Sequence, residues 1–216
     1  MAKTVTAAEM KERERAANEA GLLYIQMMEN AGRAAYAELK RRVPALRRLL
    51  IVAGKGNNGG DGFVMARVAA KEGVQVRVLL AEGEPKTADA KTNLARLAET
   101  AAEVVRDTEQ AAFGADAVVD ALYGTGFHGE LRPSGAAACA LMGRERERGA
   151  FVLALDLPSG VSADSGEVAE GAVQADATVT FDCTKPLHFA KASKPLCGAL
   201  VCADIGIGKA LGEHET

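Results

Sequence analysis

The sequence predicts an α/β fold, a parallel β-sheet covered by helices on both faces. Short apolar runs recur along the chain, separated by segments with helical apolar spacing. The runs are apolar throughout rather than alternating, as expected of strands buried on both sides. Three of them stop at glycines with an aspartate beside them, the kind of loop found where an open sheet meets its ligand.

Each element has its own signal. Thr6 to Arg42 has helical spacing with a break expected near Gly21, and Thr6 with Glu9 forms a Thr-x-x-Glu capping box. Leu22, Ile25 and Met28 lead into Ala31, Ala34 and Ala35, a small-residue face suited to close packing, and Pro44 closes the segment. Strands are predicted at 49–52, 74–80, 104–105, 117–120, 151–155, 178–181 and 199–203, and helices at 63–72, 87–99, 110–113 and 134–148. No helical pattern separates the last two strands, so a mixed edge is expected there. The polar tail from Gly212 to Thr216 is expected to fray.

Composition narrows the function. A chain of 216 residues, 48% hydrophobic and 25% charged, fits one domain over residues 1–216 with a full core. A net charge of −3, 4% aromatics and no Trp argue against nucleic acid as a partner. The charged amino end has no apolar signal core, and no apolar run approaches the roughly 18 residues of a membrane span. A cytoplasmic protein without a membrane partner is expected. Cys139, Cys183, Cys197 and Cys202 form no C-x-x-C pair, so they read as reduced core thiols rather than a zinc site.

The chemistry lies in three loops. The first, GKGNNGGDG at 54–62, has five glycines in nine residues between a strand and a helix, a setting in which backbone N–H groups bind anions. Gly54, Gly56 and Gly59 satisfy G-x-G-x-x-G, and Glu82 ends the next strand, which alone would suggest an NAD(P)-dependent oxidoreductase. Asp61 argues otherwise: read as the cap at the helix start, its charge would repel a pyrophosphate there. Asn57 and Asn58 add amide groups suited to a cation or a polar ligand. The second loop, VVDALYGTGFHGELRP at 118–133, lets the backbone of Gly124, Gly126 and Gly129 approach a ligand closely, with His128 either a phosphate donor or a surface side chain. The third, LALDLPSG at 153–160, sets Asp156 at a strand end near that of Asp120. A carboxylate in such a crevice is suited to general acid–base work, and Asn58, Asp120 and Ser159 offer only oxygen ligands, which suit a hard cation.

GKGNNGGDG, VDALYGTG and LDLPSG, with MMENAG at 27–32 ahead and ADATVTFDCTKP at 175–186 behind, together resemble the YjeF N-terminal domain family over nearly the whole chain. The resemblance implies a Rossmann-like three-layer αβα sandwich with a mostly parallel central sheet, commonly a homodimer, here through the Ala-rich amino-terminal helices. Its enzymatic members are NAD(P)H-hydrate epimerases, which interconvert the R and S forms of NADHX and NADPHX so that a separate or fused dehydratase can restore the cofactor. Carried onto this chain, Asn57, Asn58, Gly59, Gly60 and Asp61 line the substrate. Gly124, Thr125, Gly126, Phe127, His128, Gly129 and Glu130 bind it through its phosphates. Asp156 contacts it as acid–base, with Lys55 and Asp61 as candidates to assist. Asn58, Asp120 and Ser159 match potassium (K+) ligands. Lys185 matches a lysine after the sixth strand, although FDCTKP at 181–186 replaces the Gly-Ala-Pro-Lys often found there. Two other readings stay open: a non-catalytic binding or scaffold module of the same fold, and a domain excised from a bifunctional epimerase/dehydratase.

Overall fold

The computed structural model describes residues 3–213. Seven strands form one sheet in the order β3-β2-β1-β4-β5-β6-β7. They are β1 (Arg48–Ala53), β2 (Gln75–Leu80), β3 (Glu103–Val105), β4 (Ala117–Ala121), β5 (Phe151–Leu155), β6 (Ala177–Phe181) and β7 (Ala199–Ala203). Every neighbouring pair is parallel, including β6 with β7, where Ala177 pairs Ala199 and Phe181 pairs Ala203. The expected mixed edge is therefore absent. The crossover from β6 to β7 is made by two short 3-10 turns, Pro186–His188 and Lys194–Leu196, which carry no apolar helical periodicity to be read.

Successive strand residues face opposite layers. Leu49, Ile51 and Ala53 point to α1 (Ala7–Glu19), α2 (Tyr24–Arg42), α3 (Asn57–Lys71), α4 (Ala88–Leu97) and α7 (Ile207–Ala210). Leu50 and Val52 point to α5 (Thr108–Ala111) and α6 (Pro133–Glu147). This is the three-layer sandwich.

Thr6 caps α1 through the expected box with Glu9. Gly21, at φ +101°, ends it with Leu22 N–H donating to Ala17 O at 2.9 Å. The first glycine-rich loop is shorter than expected. Gly56 is the N-cap, and α3 begins at Asn57 instead of Phe63. Asp61 is therefore not a cap; it sits more than a turn inside the helix. The short helix expected at 110–113 lies two residues earlier. At the carboxyl end Gly212 and Glu213 do not fray: the Glu213 N–H donates to Gly208 O at 2.9 Å and Arg13 pairs with its carboxylate at 2.7 Å. The rest of the expected tail falls outside the described residues.

Candidate active site

The order of strands reverses between β1 and β4, and a cleft opens beyond their carboxyl ends, as a topological switch point requires. The two loops meet closely. A Cβ on Gly54 would lie 1.8 Å from Leu122 O, so only glycine fits. One on Gly124 would lie 3.4 Å from Asn58 Cβ and 3.9 Å from Asp156 Oδ2, which sets Gly124 between the amide and the acid.

The cleft has two lobes that share Asn57, Asn58, Thr87, Gly124, Thr125, Gly126 and His128. The outer lobe, 590 Å3, adds Lys55, Glu82, Phe127, Glu130 and Arg132. Glu82 occupies the place where a Rossmann dehydrogenase holds a ribose, but its carboxylate is already occupied. Tyr123 OH donates to it at 2.7 Å, Arg132 at 2.9 and 3.0 Å, and Lys55 Nζ stands 3.8 Å away. Burial and the bond to Glu82 push the Tyr123 hydroxyl up to about 12.

The inner lobe, 710 Å3, is walled by α1 through Met10, Lys11 and Glu14, by Asp61 of α3, and by Asp156 and Lys185 from the strand ends. Asp156 follows β5 in the left-handed region, φ +64°. Aspartate tolerates this conformation better than most residues, yet it still needs support. Lys185, buried, donates from Nζ to Asp156 Oδ1 at 2.6 Å and to Thr180 Oγ1 at 2.9 Å, and Thr180 Oγ1 reaches the same carboxylate oxygen at 3.0 Å. The His188 ring closes the cage. Its Nδ1 accepts from Lys185 N–H at 2.9 Å, so the proton sits on Nε2, which donates to Asp156 O at 3.0 Å. Burial lowers its pKa and favours this neutral ring.

Two further carboxyls face the inner lobe. Burial first, then the charge of Asp156, raises Glu14 to about 7. Burial, Asp156 and Glu14 raise Asp61 well above the usual carboxylate range, with Lys185 opposing.

Beneath the cleft, oxygen-bearing groups gather around Asp120. Asp120 is fully buried. Its carboxylate accepts from Ser159 Oγ at 2.6 Å, Ser159 N–H at 2.7 Å and Leu122 N–H at 3.2 Å, but pairs with no cation among the described residues. Burial raises it to about 6 against those bonds. Asn58 donates from Nδ2 to Tyr123 O at 2.9 Å, while its buried Oδ1 has no partner among the described residues. A buried carboxylate with no matching positive charge, together with a buried amide oxygen left without a partner, fits a hard cation. Among the described residues no group of three or more His, Cys, Asp or Glu could hold a metal.

The residues expected at the site thus divide. Asn57, Asn58, Asp61, Gly124, Thr125, Gly126, His128 and Asp156 meet in the inner lobe, and Phe127 and Glu130 line the outer one. Lys55 turns to Glu82; the lysine at Asp156 is Lys185, despite the altered FDCTKP segment. Gly59 and Gly60 point into helix packing, where a Cβ would lie 2.1 Å from Gly54 O and 2.5 Å from Met28 Sδ. Gly129, at φ +75°, shapes its loop without lining either lobe. Cys183 is a buried thiol pushed up to about 12 by burial and Asp182. Sequence reasoning missed Glu14, which sits in a charged helix that reads as solvated. It also missed Thr87, whose Oγ1 is buried without a partner, and His188, for which the only signal was a lone histidine next to a strand end.

The model of the family described as YjeF-related protein N-terminus matches residues 24–187. An NAD(P)H-hydrate epimerase of Pirellula staleyi is 40% identical over 207 residues, covering 90% of this chain and 88% of that protein. The bifunctional NAD(P)H-hydrate repair enzyme Nnr of Coxiella burnetii is 36% identical over 93% of this chain, and that of Moorella thermoacetica 38% over 96%. The chain spans 41% of the length of each of these two bifunctional relatives. The crystal structure of the yeast protein YNL200c superposes with a TM-score of 0.76 at 20% identity, over 94% of this chain and 88% of that one, and shows the same fold. With the matched residues spanning the cleft from Asn57 to Lys185, the chain belongs to the YjeF-related protein N-terminus family.

Proposed function

We propose that this chain is an NAD(P)H-hydrate epimerase, interconverting the R and S forms of NADHX or NADPHX. The observation that carries this reading is the cage around Asp156: one carboxylate, held in a left-handed backbone by Lys185, Thr180 and His188, with Oδ2 left free toward the cleft. In the substrate the altered ring carbon bears a hydroxyl and is bonded to the ring nitrogen. Protonating that hydroxyl lets the nitrogen lone pair expel it as water, and the planar iminium takes water back on either face. Asp156 moves the proton, Lys185 holds it in place, and the N–H groups at the start of α3 and in the 124–129 loop take the phosphates. The occupied carboxylate of Glu82 weighs against a conventional dehydrogenase.

Potassium is the cation proposed at Asn58 Oδ1, Asp120 and Ser159. When bound, it would neutralise Asp120 and fix the three loops against one another. A melting temperature that rises with potassium chloride but not with lithium chloride at equal ionic strength supports this; equal melting in both salts removes it.

The direct test follows R-NADHX by chromatography that resolves the epimers, with Asp156→Asn alongside. Wild type should equilibrate the forms well above the spontaneous rate, and the variant should lose about 10²–10⁴-fold while melting normally. A folded variant with near wild-type turnover would sink the role of Asp156.

A further inference from the structure

Epimerisation by loss and return of water, on which this inference rests, requires proton transfer on both faces of a flat ring. A single carboxyl fixed on one wall serves one face. The cage around Asp156 fixes it at the strand ends, so whatever serves the other face must come from another wall of the inner lobe.

That wall is built by α1 and α3, and it presents Glu14 from α1 and Asp61 from α3, the helix that also brings Asn57 and Asn58 to the lobe. The acids tied down elsewhere in the interior all have partners: Asp120 has Ser159, Glu145 has Ala115 N–H and Arg148, and Glu82 has Tyr123 and Arg132. Asp61 has none. No hydrogen bond or ion pair joins its side chain to any described residue, and only burial and the surrounding charges of Asp156, Glu14 and Lys185 act on it. An isolated carboxyl at the edge of a cavity, spared from structural use, is placed for a ligand. Asn58, more than nine-tenths buried with Oδ1 unpartnered, borders the same lobe and marks it as built for an occupant.

We infer that Asp61 is the second acid–base residue of the reaction, serving the face of the ring turned away from Asp156. The two acids differ in their surroundings. Asp156 is ion-paired with Lys185, while burial, Asp156 and Glu14 raise Asp61 above the usual carboxylate range against the pull of Lys185. In one direction Asp61 gives its proton to the ring hydroxyl. The C–O bond breaks, water leaves, and the nitrogen lone pair forms the C=N bond of the iminium. A water on the opposite face adds to the same carbon, forming the new C–O bond. The C=N pair returns to nitrogen, and Asp156 takes the proton. One water leaves and one enters, nothing is oxidised or reduced, and one proton has moved from Asp61 to Asp156. The other epimer runs the same steps backwards, and water in the open cleft resets the two protons between turnovers.

The test sorts oxygen label by epimer. Wild-type protein is mixed with R-NADHX in H2¹⁸O, and early samples are separated into R and S and weighed. With two acids on two faces, label enters with inversion: S is labelled and the remaining R is not. With Asp156 alone, R gains label at least as fast as S appears, and that result overturns the inference. Asp61→Asn should lower inversion on the order of 100-fold while the protein melts like wild type. A folded Asp61→Asn protein that inverts within about threefold of wild type also overturns it. If the variant does not fold, the wild-type label distribution decides alone. Wild type that accelerates neither inversion nor exchange would instead remove the epimerase reading itself, together with this inference.

Discussion

Asp156 and Glu14 show two ways a carboxyl can be held in one cleft. Asp156 has its charge matched by Lys185, while Glu14 has no partner among the described residues and resists ionisation. Besides burial, the groups acting on Glu14 are Asp156 and Asp182, which raise it, and Lys185 and Lys11, which lower it. Its pKa moves from an ordinary 4.5 to about 7, so the folded protein holds this proton more tightly than the unfolded chain. Neutral Glu14 therefore favours folding fully below the unfolded value, and the advantage is lost as pH rises through about 7. Glu14→Gln keeps the neutral form at every pH. Its melting temperature should match wild type at low pH and exceed it by about 4 °C or more at pH 8, given roughly 2–4 °C per kcal/mol in a chain of this size. The same difference at both pH values would show that Glu14 ionises freely. Asp120 and Asp156 were legible in the sequence because strand periodicity set both at strand ends beside glycines. Glu14 was not, because the lysines, arginines and glutamates around it disguise a residue that faces a cavity.

At the scale of elements, α3 explains most of the distance between reading and structure. Glycines cost a helix roughly 1 kcal/mol each, so a run of them reads as loop. In α3 they are spacers. Gly59 meets the backbone of Gly54, Gly60 meets Met28, and Gly62 would put a Cβ 2.8 Å from Ala121 Cβ. α2 repeats the device at Gly32, whose Cβ would lie 2.7 Å from Asp61 O. Close approach of the helices to one another and to the sheet repays the intrinsic penalty, and it brings Asn58 and Asp61 down to the cleft. Gly59→Ala should therefore destabilise by about 3 kcal/mol, since the obstacle is a backbone oxygen that cannot rotate away. Chemical denaturation would show this as a lower midpoint at unchanged slope; a stable alanine variant would mean that α3 can shift outward freely.

The molecule as a whole was largely readable. Seven apolar runs became seven strands, and β5 and β7 have the expected ends. The mixed edge was misjudged because β6 and β7 are joined by turns too short to carry a periodic pattern. The three chemical loops converged as expected, since a parallel sheet collects the carboxyl ends of all its strands on one edge. The fourth side of the cleft, contributed by α1, was invisible from local pattern because it depends on contacts far apart in the chain.

That distance has a consequence for how the protein is made. Lys3 to Val5 lie against Thr184: Val5 N–H donates to Thr184 O at 2.9 Å, Thr184 N–H to Lys3 O at 2.9 Å, and the two hydroxyls of Thr4 and Thr184 meet at 2.8 Å. A ribosome delivers these partners 180 residues apart, about 10–40 s at usual rates of synthesis. Through that interval α1 lacks its contacts with Thr184 and with α7, and Met10 and Ala17, both buried in the finished fold, are incompletely covered. A segment made early is thus among the last to be seated, and the nascent chain carries a half-walled cleft until its seventh strand is being made.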